Sequence, residues 1–448
     1  MMVPMNDGDQ GTEKRAGGQR PGPRPLPLYL TTAAATWLSS YASSAAWKNG
    51  SLDWKPSSNE AASNLKAQLS ALEASRAHQS TRKENADKPS NSPNPIAFDA
   101  ALDAEIRRRF DAFLSGIEAY RAHPYRRRVD EPPICWKEGS TRLLDYGPLR
   151  AGGTEGRPIL VVPSLVNRGY VLDLSTERSL MRWLVERGFR PFLVEWGFPG
   201  EVERRFTLTD YIAGRLESAL EAVLAITGRA PAVMGYCMGG MLALALAERR
   251  PRDTGALALL ATPWDFSTDA PPVAAALPMA EPWLSTMIEA AGWLPTDLIQ
   301  TLFFSLDPML VIRKFLAFSE LAPDSAASVE FVALEDWLND GVPLAAPVAR
   351  ETLFGWYGHN TPAAGTWRIA GRPVTPERVA TPALAMIPAR DRIVPPASAR
   401  ALVDRMPNAT RAEVALGHIG MVASAGARRR AWITLGDWLD ETWQEKPA

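Results

Sequence analysis

At 448 residues, with 46% hydrophobic and 22% charged residues, the chain has the make-up of a globular protein holding one large domain or two modest ones. A formal net charge of −1 supplies no basic field to hold nucleic acid or an anionic membrane. The two cysteines, Cys135 and Cys237, make no disulfide framework, and four histidines in no ligand pattern argue against a metal enzyme, so neither a metal nor a resident cofactor is expected.

Lys14 and Arg15 are followed by Gly and Pro rather than by an apolar run, so no secretory leader is read and the expected location is the cytoplasm. The mildly apolar stretch Leu26–Trp47 is broken by Thr, Ser and Lys, which excludes a membrane span. Residues 1–25 are rich in Gly, Pro and charge, and residues 48–97 in Ser, Asn, Ala and Lys. Such segments bury too little apolar surface to offset their ordering entropy. The region 1–97 is therefore expected to be largely disordered, with room for one short surface helix between Leu30 and Trp47.

Order is expected from Phe98. Phe98, Leu102, Ile106, Phe110, Phe113, Ile117 and Tyr120 recur at steps of three and four, the mark of one helix face, and Pro124 ends it. This helical segment, 98–150, leads into a catalytic core over 151–448. There, strand-like runs at Arg142–Tyr146, Pro158–Val162, Pro191–Trp196, Ala232–Gly235, Gly255–Leu260, Ala383–Ile387 and Ala412–Leu416 are separated by helix-period segments at Glu177–Arg187, Leu208–Ile226, Met238–Arg249 and Ser398–Arg405. Buried runs alternating with helices predict an α/β fold, a mostly parallel sheet with helices on both faces. Ala427–Trp443 reads as a last packing helix. The rhythm breaks between about 266 and 380, an interval rich in Trp and Phe that reads as an inserted helical cap.

The chemistry is concentrated in Gly235-Tyr236-Cys237-Met238-Gly239-Gly240, which follows one strand and opens one helix. That is the context of a nucleophile elbow: glycines relieve a tight turn, the central side chain projects above the sheet, and the helix N-terminus favours a thiolate. Taken alone, the pattern fits a buried structural cysteine equally well. Two later features favour the nucleophile. Asp391 stands just past the strand Ala383–Ile387, and His418, between Gly417 and Gly420, just past Ala412–Leu416. Nucleophile, acid, then histidine, each after a strand, is the α/β-hydrolase order. Asp265, after Gly255–Leu260, is a rival for the acid. The backbone amide of Met238 is one expected oxyanion donor, and that of Leu165 or Val166, in the loop after Pro158–Val162, is the other.

Several of these motifs together resemble the poly(3-hydroxyalkanoate) synthases. The elbow is similar to that family's Gly-x-Cys-x-Gly-Gly box, where cysteine stands in place of the lipase serine. Asn167-Arg168-Gly169-Tyr170-Val171-Leu172-Asp173-Leu174, Arg178-Ser179-Leu180, Glu195-Trp196-Gly197, Leu208-Thr209-Asp210-Tyr211-Ile212, Asp391-Arg392-Ile393-Val394-Pro395-Pro396 and Gly417-His418-Ile419-Gly420 extend the likeness over about residues 99–443. The sequence departs from many members in carrying Arg392 where they have a histidine after the acid. The resemblance implies Cys237 as the acyl-bearing nucleophile, His418 as base and Asp391 as its acid partner. It implies polymerisation of (R)-3-hydroxyacyl-CoA with release of CoA, the acyl-CoA being substrate and not cofactor. It also implies a growing polyester chain as partner and association with polyester granules, and it leaves a homodimer and a second synthase subunit both open. No Gly-rich phosphate loop marks a CoA site; Arg313, Lys314 and Arg350 are the cap cations available to one. Two other readings compete: a cysteine-dependent polyester depolymerase or thioesterase on the same fold, and a non-catalytic granule-associated protein.

Overall fold

The computed structural model describes residues 20–48, 95–150, 155–270 and 272–442. They fall into two compact units, one built from Gly17–Pro124 with Asp307–Phe331, the other from Tyr125–Leu306 with the chain from Val332 onward.

The first unit is helical. Helix α1 spans Leu26–Lys48 and α2 spans Pro95–Ala122. Of the apolar face read from the sequence, Phe98, Leu102, Phe113, Ile117 and Tyr120 are buried, and Ile106 and Phe110 are partly buried. Trp37 of α1 stands edge-on to Phe110 and Phe113 at 5.3 and 5.8 Å. A third helix, Pro308–Ser319, crosses α2 at Gly116, where any side chain would run into the Phe315 carbonyl. Phe315 then reaches Phe113 and Tyr120 at 6.3 and 6.1 Å. Two expectations change here. The short surface helix read between Leu30 and Trp47 is longer, Leu26–Lys48, and buries Tyr29, Ala33 and Trp37, because the aromatic face of α2 needs cover. Residues 307–331, read as cap, group instead with the N-terminal helices for the same reason. The expected disorder of residues 1–19 and 49–94 lies outside the described residues.

The second unit holds an eight-stranded sheet. Its strands are β1 Ile134–Glu138, β2 Thr141–Asp145, β3 Arg157–Val162, β4 Phe189–Glu195, β5 Ala232–Tyr236, β6 Ala256–Leu260, β7 Ala383–Pro388 and β8 Ala409–Val414. They lie in the order β1-β2-β4-β3-β5-β6-β7-β8; β2 runs antiparallel to both its neighbours, and the rest of the sheet is parallel. The sheet thus begins at Ile134, inside the segment read as leading into the core. β1 escapes sequence reading because it is a half-exposed edge strand without a buried run.

Successive residues of the central strands alternate between two apolar cores, one on each face. Leu160, Val162, Val233, Leu257, Leu259, Ala385 and Ile387 face one, packed under α4 Glu217–Thr227, α5 Met238–Arg249 and α7 Pro396–Val403. Ile159, Val161, Met234, Leu260, Leu384 and Met386 face the other, under α3 Leu180–Glu186 and α8 Ile433–Thr442. Both faces are covered, which is why these strands read as unbroken apolar runs. Between β6 and β7 the chain forms α6 Pro272–Ala291 and the π-helix Glu351–Gly358, which pack on each other. Strand order reverses between β3 and β5, so the loops at their carboxyl ends diverge and leave a crevice, the place where open α/β sheets bind ligands.

Candidate active site

Cys237 sits in that crevice, at the end of β5 and the start of α5. Its backbone adopts φ 57° and ψ −128°, a conformation that L-residues avoid and that only surrounding structure can enforce. The enforcement is visible. The Cys237 amide donates to Leu260 O at 2.8 Å, and its carbonyl accepts from Gly240 N at 2.9 Å. The neighbouring glycines are required by close approach. A Cβ on Gly239 would collide with Val162 O and lie 2.6 Å from the Pro163 carbonyl carbon, and one on Gly240 would meet the Thr262 side chain. The turn is therefore pressed against the carboxyl ends of β3 and β6, and the thiol is left partly exposed. Cys135 is different: its thiol donates to Leu143 O at 3.4 Å, and burial, helped by Asp145, pushes it up to about 11, far from thiolate chemistry.

The loops after β7 and β8 meet beside the elbow. Ala389 N donates to Val414 O at 2.8 Å and Arg390 N to Leu416 O at 3.0 Å, so the ladder continues past both strands and joins the two loops. The result is a 2.7 Å hydrogen bond between His418 Nδ1 and Asp391 Oδ2, both side chains buried. The other carboxylate oxygen accepts from the amides of Ile393 at 2.8 Å and Val394 at 2.9 Å. Burial by itself would lower the basicity of His418. The negative charge of Cys237 and hydrogen bonds to both Asp391 and Cys237 outweigh it, and the imidazole is pushed up to about 10. Tyr236, the residue before the cysteine, braces the loop by donating its hydroxyl to His418 O at 3.2 Å.

The structure thus brings Cys237, His418 and Asp391 together and leaves Asp265 aside. Asp265 Oδ1 accepts from Ser267 N at 2.9 Å, Ser267 Oγ at 2.6 Å and Asn360 Nδ2 at 2.8 Å, which is the work of a loop cap. Burial opposes its ionisation, but these donors prevail and hold it at about 2. The consequence is testable. A depressed carboxylate stabilises the fold above its ordinary value near 3.8, and that contribution is lost as the pH falls toward 2. Asp265→Ala should therefore lower the melting temperature at neutral pH and converge with the parent chain near pH 2, while catalytic turnover changes less than about fivefold. A far larger drop in turnover without unfolding would return Asp265 to the reaction.

Of the expected oxyanion donors, Met238 is the first residue of α5. Leu165 and Val166 lie in the loop that Gly239 packs against, which is pinned by Trp196 Nε1 donating to Pro163 O at 3.1 Å. The Val166 amide is engaged by Ser164 Oγ at 3.1 Å, and the Leu165 side chain is buried. Of the cations read as cap, Arg350 pairs with Glu289, whereas Arg313, paired with Asp307, and Lys314, over the Phe315 ring, belong to the helical unit. Among the described residues no cluster of three His, Cys, Asp or Glu is arranged to hold a metal.

One residue has no sequence signal. Tyr357, on the π-helix Glu351–Gly358, has its hydroxyl pushed up by burial and then by the charges of Cys237 and Asp391. The sequence marks Phe354 and Trp356 as cap aromatics, but a π-turn places side chains outside the 3.6-residue rhythm that such reading relies on.

Comparison with known proteins gives the scaffold a lineage. A family model described as alpha/beta hydrolase fold matches residues 157–423. The Poly(3-hydroxyalkanoate) polymerase subunit PhaC of Synechocystis is 30% identical over 63% of this chain and 78% of its own. That of Thiocystis violacea is 29% identical over 70% of this chain and 89% of its own. That of Haloferax mediterranei is 28% identical over 69% of this chain, and the match spans 63% of the relative's length. The parallel sheet, the cysteine elbow and these relatives agree: the chain belongs to the alpha/beta hydrolase fold family and, within it, to the poly(3-hydroxyalkanoate) polymerases.

Proposed function

We propose that the chain is an acyltransferase that polymerises (R)-3-hydroxyacyl-CoA into polyester, carrying the acyl group as a thioester on Cys237. The observation that carries this reading is the buried His418–Asp391 hydrogen bond beside a cysteine held at φ 57° above the sheet edge. In the first step the Cys237 thiolate attacks the acyl-CoA carbonyl. The amides of Met238 and Leu165 receive the oxyanion, that of Val166 being engaged by Ser164 Oγ, and CoA leaves as its thiol with a proton from His418. One thioester is exchanged for another, so the acyl group stays activated. In the second step a 3-hydroxyl group replaces water as the attacking nucleophile. His418 takes its proton, the new ester forms, and the Cys237 thiolate is released.

Between the two candidates for deprotonating that hydroxyl, the geometry favours the histidine. The Asp391 side chain is fully buried, with one oxygen on His418 Nδ1 and the other on two backbone amides, so it has no oxygen free to meet a substrate. Its role is to orient and charge the ring. A water-poor site under the helices between β6 and β7 favours chain growth over hydrolysis. In this reading the catalytic domain is the sheet-bearing unit, Tyr125–Leu306 with the chain from Val332 onward, and the enzyme works in the cytoplasm at the surface of its own polyester. No described helix is long and apolar enough to cross a membrane.

The purified chain given (R)-3-hydroxybutyryl-CoA should release CoA and accumulate polymer in step. CoA release accompanied only by free 3-hydroxybutyrate would identify a thioesterase, and release of neither would leave a non-catalytic granule protein.

A further inference from the structure

Leu165 carries two parts of the site at once. Its amide is the second oxyanion donor in the mechanism above, and its side chain lines a partly open cavity. The other walls include Trp196, Tyr211, Val342, Leu344 and Val348, all buried. No charged side chain lines the cavity, and it has room for about one methyl-sized group. Its walls are fixed. Trp196 spends its indole N–H on Pro163 O at 3.1 Å and stands edge-on to Tyr211 at 5.5 Å. Leu344 and Ala345 pair with Leu294 and Trp293 in a short antiparallel ribbon. Val342 N donates to Val166 O at 3.4 Å and Gly341 bridges to Asn167, so this wall is tied to the oxyanion loop itself. The same loop touches the elbow through Pro163 and Gly239, and Cys237 packs against the apolar core that holds Leu165, Trp196, Tyr211, Leu344 and Val348.

We propose that this cavity is the subsite for the alkyl group on C3 of the bound monomer, and that its size restricts the enzyme to short side chains, above all the methyl of 3-hydroxybutyryl. The proposal rests on the polymerase reading above and deepens it. With the acyl carbonyl oxygen on the Leu165 amide, the Leu165 side chain lies within reach of the first carbons of the acyl group. A small uncharged cavity suits neither the amide-bearing pantetheine arm nor a chain of esters, which leaves the alkyl group as its occupant. Such a cavity selects by volume, and one methylene too many or too few alters the fit by about 10- to 200-fold.

The test compares the full-length wild-type chain with Val342→Ala, which enlarges the cavity, and Val342→Leu, which fills it. Val342 belongs to neither of the two apolar cores that flank the sheet, and both variants keep its amide bond to Val166. Each protein is given 3-hydroxypropionyl-CoA, (R)-3-hydroxybutyryl-CoA and (R)-3-hydroxyhexanoyl-CoA, whose C3 bears hydrogen, methyl and propyl, and kcat/KM for CoA release is measured. The wild-type chain should favour hydroxybutyryl over hydroxyhexanoyl, and Val342→Ala should cut that preference by about 10-fold or more. Val342→Leu should lower kcat/KM for hydroxybutyryl by about 10-fold while 3-hydroxypropionyl changes less than about twofold. A purely structural role would depress all three substrates alike and leave their ratios unchanged. Unchanged ratios in both variants, with CoA release by the wild-type chain intact, overturn the proposal and leave the polymerase reading standing. If the wild-type chain releases CoA from none of the three, the polymerase reading itself fails and this proposal falls with it.

Discussion

Cys237→Ala is expected to lower CoA release by about 10⁴-fold or more while leaving the fold intact. The size of the effect follows from the mechanism: without the sulfur there is no covalent carrier, and neither His418 nor the oxyanion amides can hold an acyl group between two steps. The mildness of the structural effect follows from geometry. The side chain is partly exposed and caps no helix group, and the turn is held by backbone bonds to Leu260 and Gly240 that alanine keeps. The strain at φ 57° is also the same for both residues, since each has a Cβ. Melting temperature should move by no more than a few degrees. Cys237→Ser separates the two halves of the reaction. An alkoxide carrier forms an ordinary ester, less reactive than a thioester, so slow hydrolysis is expected without polymer. Incubation with the acyl-CoA followed by mass measurement should show an adduct of one acyl group on the wild-type protein and none on the alanine variant. Polymer formation by Cys237→Ala at near the wild-type rate would remove Cys237 from the mechanism.

The parts of this molecule legible in the sequence are those that depend on local periodicity or on a motif with its own context. The strands β3 to β7 are buried on both faces, so each appears as an apolar run bounded by turn residues. The elbow announces itself because Gly239 and Gly240 are required by backbone contacts that any Cβ would violate. What the sequence hides is which surfaces meet. The apolar face of α2 says that something covers it, but not that Trp37 and Phe315 do, from positions 76 and 202 residues away from Phe113 along the chain. The choice between Asp265 and Asp391 is hidden likewise, since both follow strands. In three dimensions the β7–β8 ladder extends through Ala389 and Arg390 and brings Asp391, not Asp265, to the imidazole. Tyr357 is the extreme case: no spacing rule predicts a π-turn, so a residue that feels the charges of Cys237 and Asp391 carries no mark in the sequence.

Asp391→Asn should reduce polymerisation by about 10²- to 10⁴-fold, and its pH behaviour should reveal why. The amide can still face His418, but it carries no charge, and its nitrogen in place of Oδ2 would force the ring into the wrong tautomer for meeting the sulfur. The carboxylate is one of the groups that push His418 up to about 10 from an ordinary value near 6.5. Because the folded-state value is the higher one, the protonated ring contributes fully to stability below about pH 6.5, and that contribution is lost as the pH rises through about 10. Removing the carboxylate leaves burial, which opposes protonation, set against the sulfur's charge alone. The alkaline loss should therefore begin at lower pH in Asp391→Asn than in the parent chain, visible as an earlier fall in melting temperature between pH 6.5 and 10. Cys237→Ala measured over the same range isolates the share of the sulfur, and the double variant gives the coupling between the two. If Asp391→Asn kept both the wild-type pH profile and wild-type turnover, the His418–Asp391 bond would be a packing contact without a part in the chemistry. In that case the base would have to act unaided by its buried partner. With the ring already enclosed, that leaves the sulfur alone to hold a proton on a histidine that burial drives toward neutrality.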